Sequence, residues 1–446
     1  MYPTDLAKAV HTRLKRTERG SPGIAILRKL LEVLYLATLK TEEGKPLQVR
    51  IVWENGANPD PNPPPVLRPP RWTAVSLNKP IQFDVPNLTK LCRAADPWTS
   101  WVGVFGTSVS DIQIWGMYDQ TVHFNTALIR ESDLAWNPPG AFQIAANGVA
   151  DLTVYYESAL MARLARDRII RRENDIFSTG PVFRALRPAM MQLKSTLISE
   201  LGPAAYNSEE WDGQLEDWYT GTLCRLLVSI QRHQHGGALL ITPRRSSLNV
   251  KYGIDYDRLP RFLDGLTDSS VKRSIMEDFI YAKYDVPGAE DMPVRIHTER
   301  NYQAFRAGDF EDGITGAVRF ISSLANVDGL VLLRPDLTVV GFGVEILTKK
   351  DPPNVYVSSN PEPSTRKLTS TSPQYFGMRH RSMMRYCHAY LGTVGFVISQ
   401  DGDIRAMMRV GKRLVMWEDV KIHNRWSEPR PTPAPVPPGG WPTPSA

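Results

Sequence analysis

The chain has 446 residues, 42% of them hydrophobic and 22% charged, with a net charge of +6 from 53 Lys and Arg against 47 Asp and Glu. These values fit a globular protein with room for two or three domains and exclude wholesale disorder and fibrous repeats. No run of 18 apolar residues occurs, which excludes a membrane-spanning helix on length, and six net charges over this length do not call for a polyanion, so nucleic acid is not the expected partner.

The opening MYPTDLAKAVHTRLKR lacks an apolar stretch and does not read as a secretory signal. Cys92, Cys224 and Cys387 lie far apart, with neither a disulfide framework nor metal-ligand spacing, so a reducing cytoplasm is expected. Residues 4–39 read as helical, with Leu27, Leu30, Leu31 and Leu34 at helical spacing. LQVRIVW alternates as a strand, and the proline-rich 55–70 cannot be regular structure. A short helix around PNLTKLCRAAD is followed by a hairpin, SWVGVFG and IQIWGMY, turning at Thr107–Asp111. AFQIAANG and DLTVYY make a second hairpin turning at Asn147–Gly148. A helix is predicted from Glu157 to Arg172, its arginines forming a solvated face, and 173–215 is a mixed helical connection.

A second block begins near Trp218. LCRLLVSIQRHQ is an apolar-faced helix, GGALLIT a buried strand, and LNVKYGI its expected hairpin partner. Residues 255–310 read as helix and loop, and ITGAVRFISSLAN as a helix. A strand starts at Asp328-Gly329, turns at Arg334–Asp336 and returns as LTVVGFGVEI. The Ser-, Thr- and Pro-rich 348–375 reads as a long loop. The helix RSMMRYCHAYL then precedes a strand pair, TVGFVISQ and DIRAMMRVG. The fold class expected is α/β with two domains: a smaller N-terminal α/β domain (1–190), a connection (191–217), a C-terminal mixed sheet flanked by helices (218–425), and an extended proline-rich tail (426–446).

The sharpest chemical constellation pairs Asp328-Gly329 with Arg379-His380-Arg381. A carboxylate is unexpected at the head of an apolar strand, and the following glycine permits close approach of a ligand. The basic triplet follows Gly377 at a helix N-terminus, where free N–H groups and the dipole favour an anion. Two guanidinium forks there suit phosphate, and an opposing carboxylate suits Mg²⁺ or Mn²⁺. Other candidates carry less. His233 and His235 sit two apart with no third ligand nearby, Arg244 and Arg245 end a strand where they could meet an anion, and Trp98, Trp101 and Trp115 read as core.

These residues resemble the diadenylate cyclase domain of the DNA-integrity scanning type, over about 218–422. Asp328-Gly329-Leu330 is similar to that family's Asp-Gly-Ala motif. Gly377-Met378-Arg379-His380-Arg381, followed by Ser382, is similar to its Gly-Thr-Arg-His-Arg motif, and Val397-Ile398-Ser399-Gln400 to its Val-Ser-Gln strand. The resemblance implies a metal on Asp328, phosphates on Arg379, His380 and Arg381, and a nucleotide pocket lined by Gly329, Gly377, Ser382 and Ser399. It also implies that two domains face each other, each with one ATP, in a homo-oligomer, to make c-di-AMP. Met378 and Leu330 depart from the motifs by adding bulk, which would disturb alignment of two nucleotides. With an N-terminal domain ahead of the cyclase-like one, the chain resembles the DACNV-type probable sensor proteins of bacteria. The expectation is a cytoplasmic sensor of ATP or a cyclic dinucleotide, catalytically weak or inactive and without a membrane segment. The alternative is an active metal-dependent cyclase.

Overall fold

The computed structural model describes residues 1–14, 21–42, 45–54, 73–95, 100–119, 142–156, 159–165, 167–201, 208–233, 235–284, 291–364, 367–400 and 403–422. The proline-rich 55–70, Trp98 and the tail 426–446 lie outside them. Among the described residues the fold is mixed α/β, with eight α-helices and two large mixed sheets. The chain divides into two compact units, the division falling between Arg171 and Arg172. No helix among the described residues is long and apolar enough to cross a membrane.

The first unit holds α1 (Pro3–Leu14), α2 (Ile24–Thr38), the two-residue pair β1 (Thr41–Glu42) and β2 (Lys45–Pro46), then β3 (Val49–Trp53), β4 (Thr73–Gln82), α3 (Val85–Leu91), β5 (Ser100–Phe105), β6 (Gln113–Asp119), β7 (Phe142–Gly148), β8 (Asp151–Tyr156), β9 (Ala159–Ala165) and β10 (Arg168–Ile170). The sheet order is β10-β9-β8-β7-β3-β5-β6-β4, with β3 and β5 the parallel pair. Leu27, Leu30, Leu31 and Leu34 bury one stripe of α2 against Ile51, Val102 and Ile144. Val52, Trp101, Trp115 and Tyr118 make a separate cluster on the other face. There Trp115 Nε1 donates to the Glu54 carbonyl (2.8 Å) and Tyr118 to the Glu54 carboxylate (2.7 Å). The helix expected over 157–172 is instead β9 and β10. A seven-residue apolar run fits either state, and β8 offers a ladder on which Arg163 reaches Asp151 (Nε–Oδ1 2.9 Å).

The second unit comprises α4 (Gly180–Leu201), α5 (Ser208–Arg232), β11 (Gly237–Ile241), β12 (Leu248–Tyr256), α6 (Arg258–Tyr284), α7 (Val294–Leu324), β13 (Leu330–Leu333), β14 (Val339–Ile346), β15 (Val355–Ser358), β16 (Thr369–Thr371), α8 (Met378–Ala389), β17 (Val394–Ile398), β18 (Ile404–Val410) and β19 (Arg413–Trp417). Helix α4, whose residues fall in the expected domain end and connection, packs here with α5, which contains the expected helix LCRLLVSIQRHQ up to Arg232, through Val182, Leu186, Leu223 and Leu227. The sheet order is β12-β14-β13-β11-β17-β18-β19-β15-β16. The strand β12 pairs with β14 and not with β11, as the hairpin reading had it. Between β11 and β12 the chain crosses two strand positions, because β13 and β17 flank β11. The expected loop 348–375 contains β15 and β16, with β15 running parallel beside β19.

Side-chain alternation sorts the two faces. Leu239, Ile241, Val331, Leu333, Phe396 and Ile398 pack under α4–α7. Ala238, Leu240, Leu330, Leu332 and Val397 pack under α8, through its Met383, Met384 and Cys387. A Cβ on Gly395 would stand 2.3 Å from Met383 Sδ, so this glycine sets how closely α8 lies on β17. That close seating fixes where the start of α8 projects.

Candidate functional site

The register of three neighbouring strands brings distant sequence together. Leu239 is level with Val331 on one side of β11, and Gly237 with Ile398 on the other. Continuing both ladders beyond their last pairs sets Gly236 level with Asp328 and with Ser399. With strands about 4.8 Å apart, all three backbones lie within about 10 Å along one sheet edge. Gly236 has φ +72°, and a Cβ there would stand 2.8 Å from Nη1 of Arg379. The Arg379 guanidinium therefore lies against the same edge that carries Asp328, which is exposed. Gly329 has φ +113°, and a Cβ on it would meet the Gly343 carbonyl carbon at 2.6 Å. Its place is structural: it lets β14 cross closely over the head of β13.

Gly377 caps α8 in extended conformation with no side-chain cap on the first turn. Successive residues on a helix point about 100° apart, and the basic triplet splits accordingly. Arg379 turns to Gly236. His380 turns inward, where its Nε2 faces Nη1 of Arg405 at 3.1 Å. A guanidinium only donates, so Nε2 accepts and the imidazole proton sits on Nδ1. Burial first, then the charges of Arg405 and Arg379, lower the His380 pKa to about 4, with Asp403 opposing. Arg381 turns to Asp351, its Nη2 2.7 Å from Oδ2, while Arg385 Nε takes Oδ1 at 2.5 Å. Hydrogen bonds from Arg385 and then Arg381 hold the Asp351 carboxyl below the ordinary carboxylate range. Nε of Arg381 is buried with no partner.

Ser399 is committed to the β17–β18 turn. Its N–H donates to the Asp403 carbonyl (2.9 Å), and its hydroxyl accepts the Asp403 N–H (3.1 Å). Ser382 is half-buried in the first turns of α8. The two added side chains do not fill the edge: Met378 is 84% exposed, and Leu330 is 5% exposed in the core under α8. Arg244 lies past the far end of β11, where its carbonyl accepts the Tyr386 hydroxyl (3.1 Å), so it does not join the edge. His233 Nε2 is 3.4 Å from Ser322 Oγ. Among the described residues no group of three or more His, Cys, Asp or Glu is placed to hold a metal. A single carboxylate, Asp328, fits a divalent ion whose remaining ligands are water and nucleotide phosphate, not a protein cage.

Sequence reading missed Arg405 and Asp351. Arg405 also reaches Glu418 (Nε–Oε1 2.9 Å) and lies over the Phe376 ring at 5.9 Å. Its only signal is a cation within the apolar strand DIRAMMRV. Asp351 had none, since its partners are thirty and more residues away.

No curated protein and no solved structure matches the chain. One family model matches over residues 16–119, described as "Probable sensor domain DACNV". That span takes in α2, β1–β6 and α3 of the first unit; the edge with Asp328 and Arg379 lies outside it. Residues 16–119 are thus similar to that sensor domain, and the match covers less than half of the chain.

Proposed function

We propose that the second unit binds a nucleotide at the Asp328–Gly236–Ser399 edge, and that the chain as a whole is a sensor of that nucleotide. The observation that carries this is the Arg379 guanidinium laid against Gly236, beside Asp328, which immediately precedes Gly329 and the strand β13. Of the basic triplet, Arg381 is tied to Asp351, a carboxylate it shares with Arg385, and His380 is held neutral. Arg379 keeps its charge for a phosphate. Asp328 would hold Mg²⁺ or Mn²⁺ carried in by that phosphate, and the ion would offset charge between carboxylate and ligand.

Binding without turnover is favoured by this arrangement, because one of the two guanidinium forks of a triphosphate clamp is already engaged by Asp351. Turnover to c-di-AMP from two ATP is the second reading. It is favoured by the position of Met378 and Leu330, neither of which crowds the edge. Thermal melts of the full chain with ATP and Mn²⁺, or with c-di-AMP, test the first reading. Ligand at 100 times Kd should add about 2.7 kcal/mol, and Arg379→Ala should cut this to about 1.4 kcal/mol or less at the same ligand concentration. If no nucleotide shifts the melt, the proposal fails. Chromatographic detection of c-di-AMP, lost in Asp328→Asn, would replace sensor with cyclase.

A further inference from the structure

The helix α7 runs for 31 residues, yet between Val294 and Gly313 it buries only Gln303. This half packs along α6, where Phe310 faces Gly265 and Phe262 faces Gly313. The outward side carries a continuous stripe: Arg295, Thr298, Tyr302, Phe305, Asp309 and Asp312. Its spacing alternates three and four residues, the spacing of a helix-pairing seam. All six are exposed, Tyr302 at 54% and Phe305 at 72%. None of Arg295, Asp309 and Asp312 has an ion-pair partner among the described residues.

The stripe is ordered by charge. The cation stands at the N-terminal end, the two aromatics in the middle and the two carboxylates at the C-terminal end. A rotation of 180° about the point between Tyr302 and Phe305 therefore superposes opposite charges. Arg295 meets Asp312 of the second copy, Thr298 meets Asp309, and Tyr302 meets Phe305. A parallel pairing would instead stack Arg295 on Arg295 and Asp312 on Asp312. We propose that the chain forms a two-fold dimer in which the α7 stripes of two copies pack antiparallel. The self-complementary contact is isologous and closed. At 1.5 Å rise per residue the stripe is only about 26 Å long. The interface is thus at the small end of specific ones, and the dimer exchanges with monomer in a concentration-dependent way.

Sedimentation of the full-length protein over a concentration series, without nucleotide, tests this. The wild type should shift from monomer to dimer, and Phe305→Asp should remain monomeric. Arg295→Glu and Asp312→Arg should each weaken the dimer by about tenfold, since each turns two attractive pairs repulsive. The double variant Arg295→Glu/Asp312→Arg should return to near wild-type affinity. The two positions are too far apart on one helix to compensate within a chain, so rescue reports the antiparallel pairing alone. Their exposure leaves the fold unaffected, which unchanged melting of the variants verifies. A monomer at every concentration, single variants without effect, or a double variant that stays weak would each overturn the proposal.

Discussion

Nη1 of Arg405 lies 3.1 Å from Nε2 of His380, so a permanent cation donates to an imidazole that must remain neutral to accept. Burial first, and then the charges of Arg405 and Arg379, lower the His380 pKa to about 4 from 6.5. A histidine depressed in the folded state takes up its proton preferentially when unfolded. Stability therefore falls as pH drops from about 6.5 to about 4, by at most about 3 kcal/mol, and levels off below. Denaturation midpoints measured across that window should show the loss, and His380→Gln should flatten it. An equal slope in the variant would assign the effect elsewhere.

Asp351 bridges Arg381 and Arg385 and, among the described residues, is the only carboxylate paired with either. Asp351→Asn should destabilise the second unit by about 1–3 kcal/mol, because two half-buried guanidinium groups lose their acceptor. The same change frees the guanidinium fork of Arg381 from its carboxylate. Nucleotide binding should then tighten even as the fold weakens, and titration alongside chemical denaturation separates the two effects.

Gly329→Ala puts a methyl group into the backbone of Gly343 at a φ of +113°. A loss of about 2–4 kcal/mol is expected, from the combined strain and overlap. The urea midpoint reads it directly. A variant as stable as wild type would mean that β13 and β14 are less closely apposed than described.

In the first unit, a Cβ on Gly103 would stand 2.3 Å from the Trp115 indole. Gly103→Ala should displace that ring and strain its hydrogen bond to the Glu54 carbonyl. The near-ultraviolet dichroism and the tryptophan emission should change, with about 1–3 kcal/mol of destabilisation. Unchanged spectra would show that the ring is not seated on β5.

Much of this fold is legible in local pattern. The α2 stripe, the β5–β6 turn closed by Asp111, and the β17–β18 pair all follow from spacing and turn residues. The failures are those where pattern is degenerate or the partner is remote. TAVSLNKPIQ is a strand despite Pro80 because it is an edge, where a missing donor is tolerated, and its ladder is irregular at that point. The run ALMARLA suits helix or strand equally until β8 is beside it. The edge with Gly236, Asp328 and Ser399 depends on β11 pairing with strands that begin about ninety and more than one hundred and fifty residues later, and no periodicity encodes that. The triplet Arg379-His380-Arg381 was visible as a charge cluster. Its division among Gly236, Arg405 and Asp351 follows from helical rotation and from partners that sequence does not announce.

In the nucleotide reading Arg379 and Asp328 act on one phosphorylated ligand, and isothermal titration of ATP with Mn²⁺, and of c-di-AMP, into the full chain puts this to the test. Saturable binding of at least one of them is expected, weakened at least tenfold by Arg379→Ala, a loss of about 1.4 kcal/mol or more. Binding of equal strength in wild type and Arg379→Ala, or no heat with either ligand, would contradict it.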